Sequence, residues 1–289
     1  MKTVNSLSGG KTSSYIAVNY PADYNVFSLV RTNDKECLYP DSKIRQIVSD
    51  KIQMDFIGTL EQDSIIKAML SLEQKIGSEI TWVTGEAFED VINKRKGKNG
   101  KNYLPNVMTR YCTTDMKMIP IFDWWKSELN EVCEMRIGYR VNEMKRAKRM
   151  IEQLNENGVN EMKTIIGKSK NGNRNKWGLI EWRIPSFPLI DDEIRKIDIE
   201  NYWDKNKDVE FKHGYYNNCV GCFHRNPVFL SKMAQEHPNK MKWFSNQEKE
   251  NHPNTFRKDC TYEQVINFKP QIEISFDDFS DCDSGFCGL

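Results

Sequence analysis

The sequence predicts an α/β protein in which helices cover both faces of a parallel sheet. Two observations support this fold class: short, mostly apolar runs alternate with helical patterns through the first half of the chain, and small residues join the first run to the first helix. A chain of 289 residues is long enough for one sizeable core or two small ones. A change of pattern near Gly158 divides it into an α/β domain, 1–157, and a cysteine-bearing, mainly helical subdomain with an acidic tail, 158–289.

The first half alternates between strand and helix. Strands are predicted at 3–7, 25–30, 54–57, 80–84 and 134–138. Helices are predicted between them, at 12–19, 41–51, 61–76, 86–94 and 115–129. Parallel sheets of this kind bind ligands at the carboxyl ends of their strands.

The second half has a different pattern. Residues 162–167 and 177–184 are predicted to pair as a hairpin across Asn171 and Gly172. Helical patterns lie at 141–154, 191–206, 228–235 and 262–268. The cysteine-rich portion begins after Tyr215.

Composition indicates a globular protein without a membrane span. Hydrophobic residues make up 38% and charged residues 29% of the chain, and the formal net charge is +1. No apolar run approaches the ~18 residues of a membrane span, and no apolar leader follows Met1, so we expect a cytoplasmic protein. In a reducing compartment, eight cysteines favour metal ligands or redox groups over disulfides.

Charge is unevenly distributed. One loop carries a first basic group, Lys94, Arg95, Lys96, Lys98 and Lys101, and a second loop carries Lys168, Lys170, Arg174 and Lys176. Both could be solvated turns, or they could form a surface for a polyanion such as tRNA, DNA or a carrier protein. Residues 271–289 contain five acidic residues and no Lys or Arg.

The segment after the first strand has the composition of a phosphate-binding loop. Its residues are Ser8, Gly9, Gly10, Lys11, Thr12, Ser13 and Ser14. Glycines allow close approach to the backbone, the start of a helix favours an anion, and the lysine and hydroxyls add donors. A polar surface turn is the alternative interpretation.

The spacing of this loop excludes two common nucleotide motifs. A kinase-type P-loop would need a glycine where Asn5 stands, and residues 9–14 do not match Gly-x-Gly-x-x-Gly. The segment resembles the Ser-Gly-Gly-Lys-Asp-Ser loop of the PP-loop family of ATP pyrophosphatases, with Thr12 in the aspartate position. This family includes phosphoadenosine phosphosulfate (PAPS) reductases and ATP-using thiolation enzymes. The resemblance implies a HUP-type, adenine nucleotide α-hydrolase-like fold that binds ATP or PAPS. It also allows a Mg²⁺ ion as a cofactor.

Two later segments resemble the PAPS reductase family in the same order. Arg110, Cys112 and Lys117 match a pattern of Arg-x-Cys-x-x-x-x-Lys, which implies that the two cations face the anionic groups of the nucleotide. Gly138, Arg140 and Glu143 match a Gly-x-Arg-x-x-Glu segment. Glu143 could hold Arg140 in place or touch ribose; the alternative is an ion pair on a solvated helix.

The cysteines predict a metal site. Cys219 and Cys222 have the spacing at which two thiols can face one metal, and Cys112 and Cys260 are the candidate partners. An iron–sulfur cluster on these four thiols, a zinc site that uses a histidine (His224, His237 or His252) in place of one thiol, and a metal-free knuckle all remain open. Cys37 and Cys133 are predicted to be packing residues.

The tail resembles the C-terminal cysteine motif of PAPS reductases. That resemblance implies that Cys287 attacks the sulfonate sulfur, and Cys282 or a thioredoxin-like reductant then releases sulfite. A frayed terminus with incidental cysteines is the alternative.

Three functions follow as expectations. The first is a PAPS reductase-family oxidoreductase that reduces a sulfonucleotide with a cysteine thiolate. The second is an ATP-dependent, adenylating sulfurtransferase that acts on tRNA or DNA, uses a sulfur donor and carries an iron–sulfur cluster. The third is a non-catalytic nucleotide-binding module with structural zinc. The sequence does not indicate the oligomeric state.

Overall fold

A six-stranded, mostly parallel sheet is the centre of the fold. The computed structural model describes residues 1–169, 171, 174–211 and 219–268. The strand order is β5-β2-β1-β6-β8-β7, and only β7 is antiparallel to its neighbour. The strands are β1 (Thr3–Leu7), β2 (Tyr24–Leu29), β5 (Ile80–Thr84), β6 (Cys133–Arg136), β7 (Asn160–Lys168) and β8 (Asn175–Ser186), with a separate antiparallel pair, β3 (Arg31–Thr32) and β4 (Gly58–Thr59).

Helices follow most strands. In chain order they are α1 (Lys11–Asn19), α2 (Ser42–Ile52), α3 (Asp63–Ile76), α4 (Phe88–Asn93), α5 (Tyr111–Thr113), α6 (Ile119–Glu128), α7 (Met144–Ile151), α8 (Pro188–Asp191), α9 (Lys196–Lys205), α10 (Pro227–Glu236), α11 (Pro238–Glu250) and α12 (Tyr262–Asn267). A π-helical turn, Thr114–Met118, separates α5 from α6. Within the described ranges, no helix combines the length and apolarity needed to cross a bilayer.

Consecutive residues of the central strands pack on opposite faces of the sheet. In β2, Val26 packs with the core around Phe122 of α6, whereas Phe27 packs with the core that contains Ile66 of α3. All four side chains are buried. Because successive strand residues point to opposite faces, these two cores confirm that helices cover both sides of the sheet.

Two predicted features of the sheet differ from the structure. The strand predicted at 54–57 is wrong: α2 ends at Ile52, Gln53 turns left-handed at φ 54°, and the position beside β2 is taken by β5. The segment buries Phe56 but exposes Met54, so its apolar content marks a turn that touches the core at one residue. The sheet also carries the antiparallel β7, because the predicted hairpin forms as β7–β8 and joins the sheet through β6; the hairpin is confirmed.

The last helices pack against the first half of the chain. Phe244 of α11 and Tyr262 of α12 lie in one core with Phe88 of α4 and Leu104. Their rings pack closely, with the Phe244 and Tyr262 centroids 5.3 Å apart. Cys112, Cys219 and Cys260 all pack against this core. The packing therefore brings thiols from distant parts of the chain together.

The topology places three loops at one edge of the sheet. β1, β2 and β6 are parallel, so the segments that begin at Ser8, Val30 and Ile137 all leave the same edge. These segments follow the carboxyl ends of the strands, which is where open α/β sheets bind ligands.

Candidate functional site

The segment from Ser8 to Ser14, which we call the loop, consists of a tight turn at residues 8–10 and the first turn of α1, and position 9 of the tight turn requires glycine. Gly9 has φ +82°, and a Cβ at this position would lie 2.4 Å from Cγ2 of Ile65 and 3.3 Å from the Phe27 ring. A side chain would therefore meet both backbone strain and the buried floor of the loop. The absence of a side chain lets the backbone lie flat on α3 and β2.

Hydroxyl groups hold the loop in shape. Oγ of Ser13 accepts a hydrogen bond from the Ser8 amide at 3.1 Å and donates to the Gly10 carbonyl at 3.2 Å. Oγ of Ser8 lies 3.2 Å from the same hydroxyl. These contacts fix the entry into α1, whose first amides have no acceptor within the helix and are suited to an anion. Nε1 of Trp203 donates to the Lys11 carbonyl at 2.9 Å and ties α9 to the start of α1.

Gly138 lies against this loop. A Cβ on Gly138 would come within 3.3 Å of Cγ2 of Thr12 and 3.6 Å of the Ser13 amide nitrogen. The structure therefore brings together two segments that the sequence singled out: the glycine–serine segment after β1 and the segment after β6 that contains Gly138. Because there is no side chain at Gly138, the backbone after β6 can approach the start of α1 closely.

Arg140 and Glu143 form a buried charge cluster. Nε of Arg140 lies 3.0 Å from one carboxylate oxygen of Glu143, and NH1 of Arg146 lies 2.7 Å from the other. Arg140 and Glu143 are both buried, so the cluster is not an ion pair on a solvated helix. Glu143 holds both guanidinium groups, and it also accepts from the Arg140 amide.

A cavity of about 50 Å³ is lined by three of the predicted metal-ligating thiols. It is lined by Cys112, Cys219 and Cys222, by the cations Arg110 and Lys117, and by a mainly apolar wall that includes Val30, Phe88, Phe244 and Phe256. Pockets that hold small-molecule ligands have volumes of about 300 Å³ or more, so this one has room for a small group rather than a nucleotide. We call it the thiol cavity.

The carboxylate of Glu61 is a component of the thiol cavity that sequence reasoning missed. Its Oε1 lies 2.7 Å from Nζ of Lys117, and its Oε2 is buried without a hydrogen-bond partner. The glutamate is 1% exposed. Nζ of Lys240 also donates to the Glu61 carbonyl and to Asp63, each at 2.7 Å. In the sequence Glu61 has the character of a residue at a helix start, and no local signal indicates its burial.

The π-helical turn positions Cys112 and Lys117. Such turns are rare and frequently occur at functional sites. Oγ of Ser28 donates to the Met116 carbonyl at 3.0 Å, which anchors the turn to β2. Cys112 and Lys117, on either side of Met116 in the chain, both line the thiol cavity.

The thiols share a cavity without forming a set of metal ligands. Cys260 packs against the same core as Cys112 and Cys219 and does not line the cavity. Across the residues that the structure describes, no three His, Cys, Asp or Glu side chains are arranged to hold a metal ion. We therefore derive no step through a cluster or a zinc ion, and the four-cysteine site stays a prediction.

Electrostatics at the cavity rim favour anionic occupants. Burial, with help from the charges of Arg110 and Arg257, lowers the pKa of His224 to about 4, so its imidazole is neutral at physiological pH. Among the residues that line the cavity, Arg110 and Lys117 are cations and Glu61 is a carboxylate. Positive charge in a partly apolar site attracts anions.

The remaining predicted cysteines fall into two groups. Cys37 and Cys133 are buried, as predicted for packing residues. Burial raises the pKa of Cys37 to about 12 and that of Cys133 to about 11. Cys282 and Cys287 lie outside the described residues.

The phosphate-type loop and the thiol cavity meet at the start of α3. Ile65, in its first turn, forms the floor under Gly9, and Glu61, just before it, lines the thiol cavity. The Ile65 amide donates to the Gln62 carbonyl at 3.0 Å, so one tight turn links the two features.

Comparison of the chain with protein-family models, with curated proteins and with solved structures gave no match.

Proposed function

We propose that this chain is an enzyme of sulfur chemistry, similar to the PAPS reductases, that binds an adenine nucleotide on the loop from Ser8 to Ser14. One observation carries the proposal: this loop and the thiol cavity lie at the ends of the neighbouring strands β1 and β2 and share the turn between Glu61 and Ile65. An anion on the α1 amides and a reactive sulfur would therefore be close together.

The first candidate reaction is the reduction of a sulfonucleotide. The loop, Lys11 and the cations Arg110 and Lys117 would bind PAPS. The thiolate of Cys287 would attack the sulfonate sulfur, and adenosine bisphosphate would leave. A second thiol, from Cys282 or a thioredoxin-like protein, would attack the cysteine sulfur, which releases sulfite and leaves a disulfide. The order of the family-like segments along the chain supports this candidate.

The second candidate reaction is ATP-dependent sulfur transfer. An acceptor oxygen would attack the α-phosphate of ATP, pyrophosphate would leave, and a sulfur nucleophile would then displace AMP. The thiol cavity supports this candidate, because Cys112, Cys219 and Cys222 lie beside two cations without any contribution from the tail.

Product analysis separates these candidates from a nucleotide-binding module with structural zinc. The protein, purified without oxygen, is incubated with PAPS and dithiothreitol, or with ATP, a sulfide donor and bulk tRNA. Sulfite from PAPS indicates reduction, whereas AMP and pyrophosphate from ATP indicate adenylation. Nucleotide binding without either product would leave the module.

Two cysteine variants sharpen the result. Cys287→Ser should abolish sulfite formation and spare ATP cleavage, whereas Cys219→Ser should abolish sulfur transfer. Lys11→Met should weaken both reactions, since it removes the charge at the shared loop. Full activity of Lys11→Met in both assays would contradict the proposal.

A further inference from the structure

The hairpin β7–β8 extends beyond the sheet. β8 pairs with β6 only over residues 183–186, so residues 175–182 have only β7 as a neighbour on the hydrogen-bonding side. At about 3.3 Å per residue, this part of the strand is roughly 25 Å long. The tip is closed by a hydrogen bond of 2.8 Å from the Ser169 amide to the Arg174 carbonyl.

The two faces of the hairpin differ. On one face, Met162, Ile180 and Trp182 pack against the core around Trp125. On the other, Ile165 and Trp177 are cross-strand partners, and Leu179 is the partner of Lys163. Ile165, Trp177 and Leu179 are 41, 56 and 61% exposed. A base anchored to the core therefore supports an exposed aromatic face.

The hairpin as a whole carries positive charge. Residues 162–180 include five Lys or Arg and no Asp or Glu. Lys163, Lys168, Arg174 and Lys176 are exposed, and no ion pair among the described residues engages them. In the first basic loop, by contrast, Lys94 is paired with Glu86, and Arg95 with Asp115 at 2.5 Å. The four exposed cations of the hairpin are therefore available to a partner.

An exposed tryptophan on a hairpin that carries several cations without ion pairs is complementary to a polyanion with exposed, unstacked bases. RNA loops present unstacked bases that stack on aromatic side chains, whereas duplexes keep the faces of their bases covered. Charge and shape together favour RNA.

We propose that the β7–β8 hairpin is an arm that binds an unpaired loop of RNA. Trp177 stacks on a base, and Lys168, Arg174 and Lys176 contact phosphates. If the arm binds RNA, then RNA is the acceptor class for the sulfurtransferase candidate, and in this respect the inference rests on the proposed function. Binding itself requires no nucleotide at the loop of Ser8 to Ser14.

Fluorescence anisotropy without ATP tests the arm. The probes are a fluorescein-labelled RNA stem-loop with an unpaired loop, the fully paired RNA duplex, and a single-stranded DNA of the loop sequence. We expect the stem-loop to bind most tightly. Trp177→Ala should weaken its binding about tenfold, because one base loses the ring on which it stacks, and Trp177→Phe should retain most of the affinity.

Charge variants provide a matched control. Lys168→Ser with Lys176→Ser should lower the slope of log affinity against log salt by about one for each phosphate that the variant no longer binds. Lys126→Ser with Lys258→Ser removes the same charge from exposed positions elsewhere and should leave the slope unchanged. Circular dichroism checks that every variant is folded.

Three results would overturn the arm. In the first, the stem-loop binds no more tightly than the duplex or the DNA. In the second, Trp177→Ala binds the stem-loop as tightly as the parent chain does. In the third, Trp177→Ala converts a dimer into a monomer, which would make the face an interface between copies of this chain. A chain that binds the stem-loop but forms no product from ATP or PAPS would keep the arm and lose the proposed function. The two failures are therefore distinguishable.

Discussion

The loop of Ser8 to Ser14 and the thiol cavity are built in opposite ways. The loop is local: Ser8, Gly10 and Ser13 bond to one another within a single turn. The thiol cavity draws Glu61, the π-helical turn and the Cys219–Cys222 segment from distant parts of the chain. The loop therefore depends on backbone shape, and the cavity depends on paired charge and packing.

This difference predicts which changes each region tolerates. A local turn fails when a side chain disturbs its backbone, and a composite cavity fails when one partner of a buried pair is removed. Substitutions that separate these two causes test the comparison.

The largest effect is expected at the charge pair of the thiol cavity. Lys117→Met leaves the buried carboxylate of Glu61 without its cation and should lower the free energy of unfolding by about 3–5 kcal/mol. Lys94→Met, which breaks the exposed pair with Glu86, should cost less than about 1 kcal/mol. Urea denaturation measures both.

A double variant isolates the pair itself. Replacing Glu61 with Met in the Lys117→Met background should recover much of the stability, because neither charge then remains buried. Equal costs for Lys117→Met and Lys94→Met would show that the pair does not hold the cavity together.

A smaller loss of stability is expected at the glycine of the loop. Gly9→Ala adds left-handed strain and a contact with Ile65, which together should cost about 2–4 kcal/mol. Gly77→Ala is the matched control, since Gly77 has φ +64° and open space around its Cβ position; strain alone should cost about 1–2 kcal/mol. Similar losses for the two variants would mean that the floor of the loop yields.

The smallest effect is a difference in thiol reactivity. Burial raises the pKa values of Cys37 and Cys133 to about 12 and about 11, so iodoacetamide at pH 8 should leave both unmodified in the folded protein. The partly exposed Cys112 and Cys219 should be alkylated, as peptide mapping would show. Rapid labelling of Cys37 would contradict its burial.

The sequence predicts local features better than assembled ones. The bounds of β1 and β5 match their predicted ranges, and the glycine–serine loop forms where its composition indicated. The strand predicted at 54–57 failed because an apolar run does not reveal that the place beside β2 belongs to β5.

The thiol cavity shows the same limit. The spacing of Cys219 and Cys222, with Cys112, was visible in the chain, but the role of Glu61 was not. Its burial results from α3, α11 and the π-helical turn meeting, because Lys240 and Lys117 reach it from the last two of these. Long-range packing of this kind leaves no local pattern.

Calorimetric titration of ATP and of PAPS into the folded protein tests the central claim most directly. We expect at least one of them to bind, with a single nucleotide per chain. Lys11→Met should weaken this binding about tenfold, because it removes a charge-assisted contact. Binding of neither nucleotide, or equal binding by Lys11→Met, would contradict the claim that the loop after β1 holds the phosphates of an adenine nucleotide.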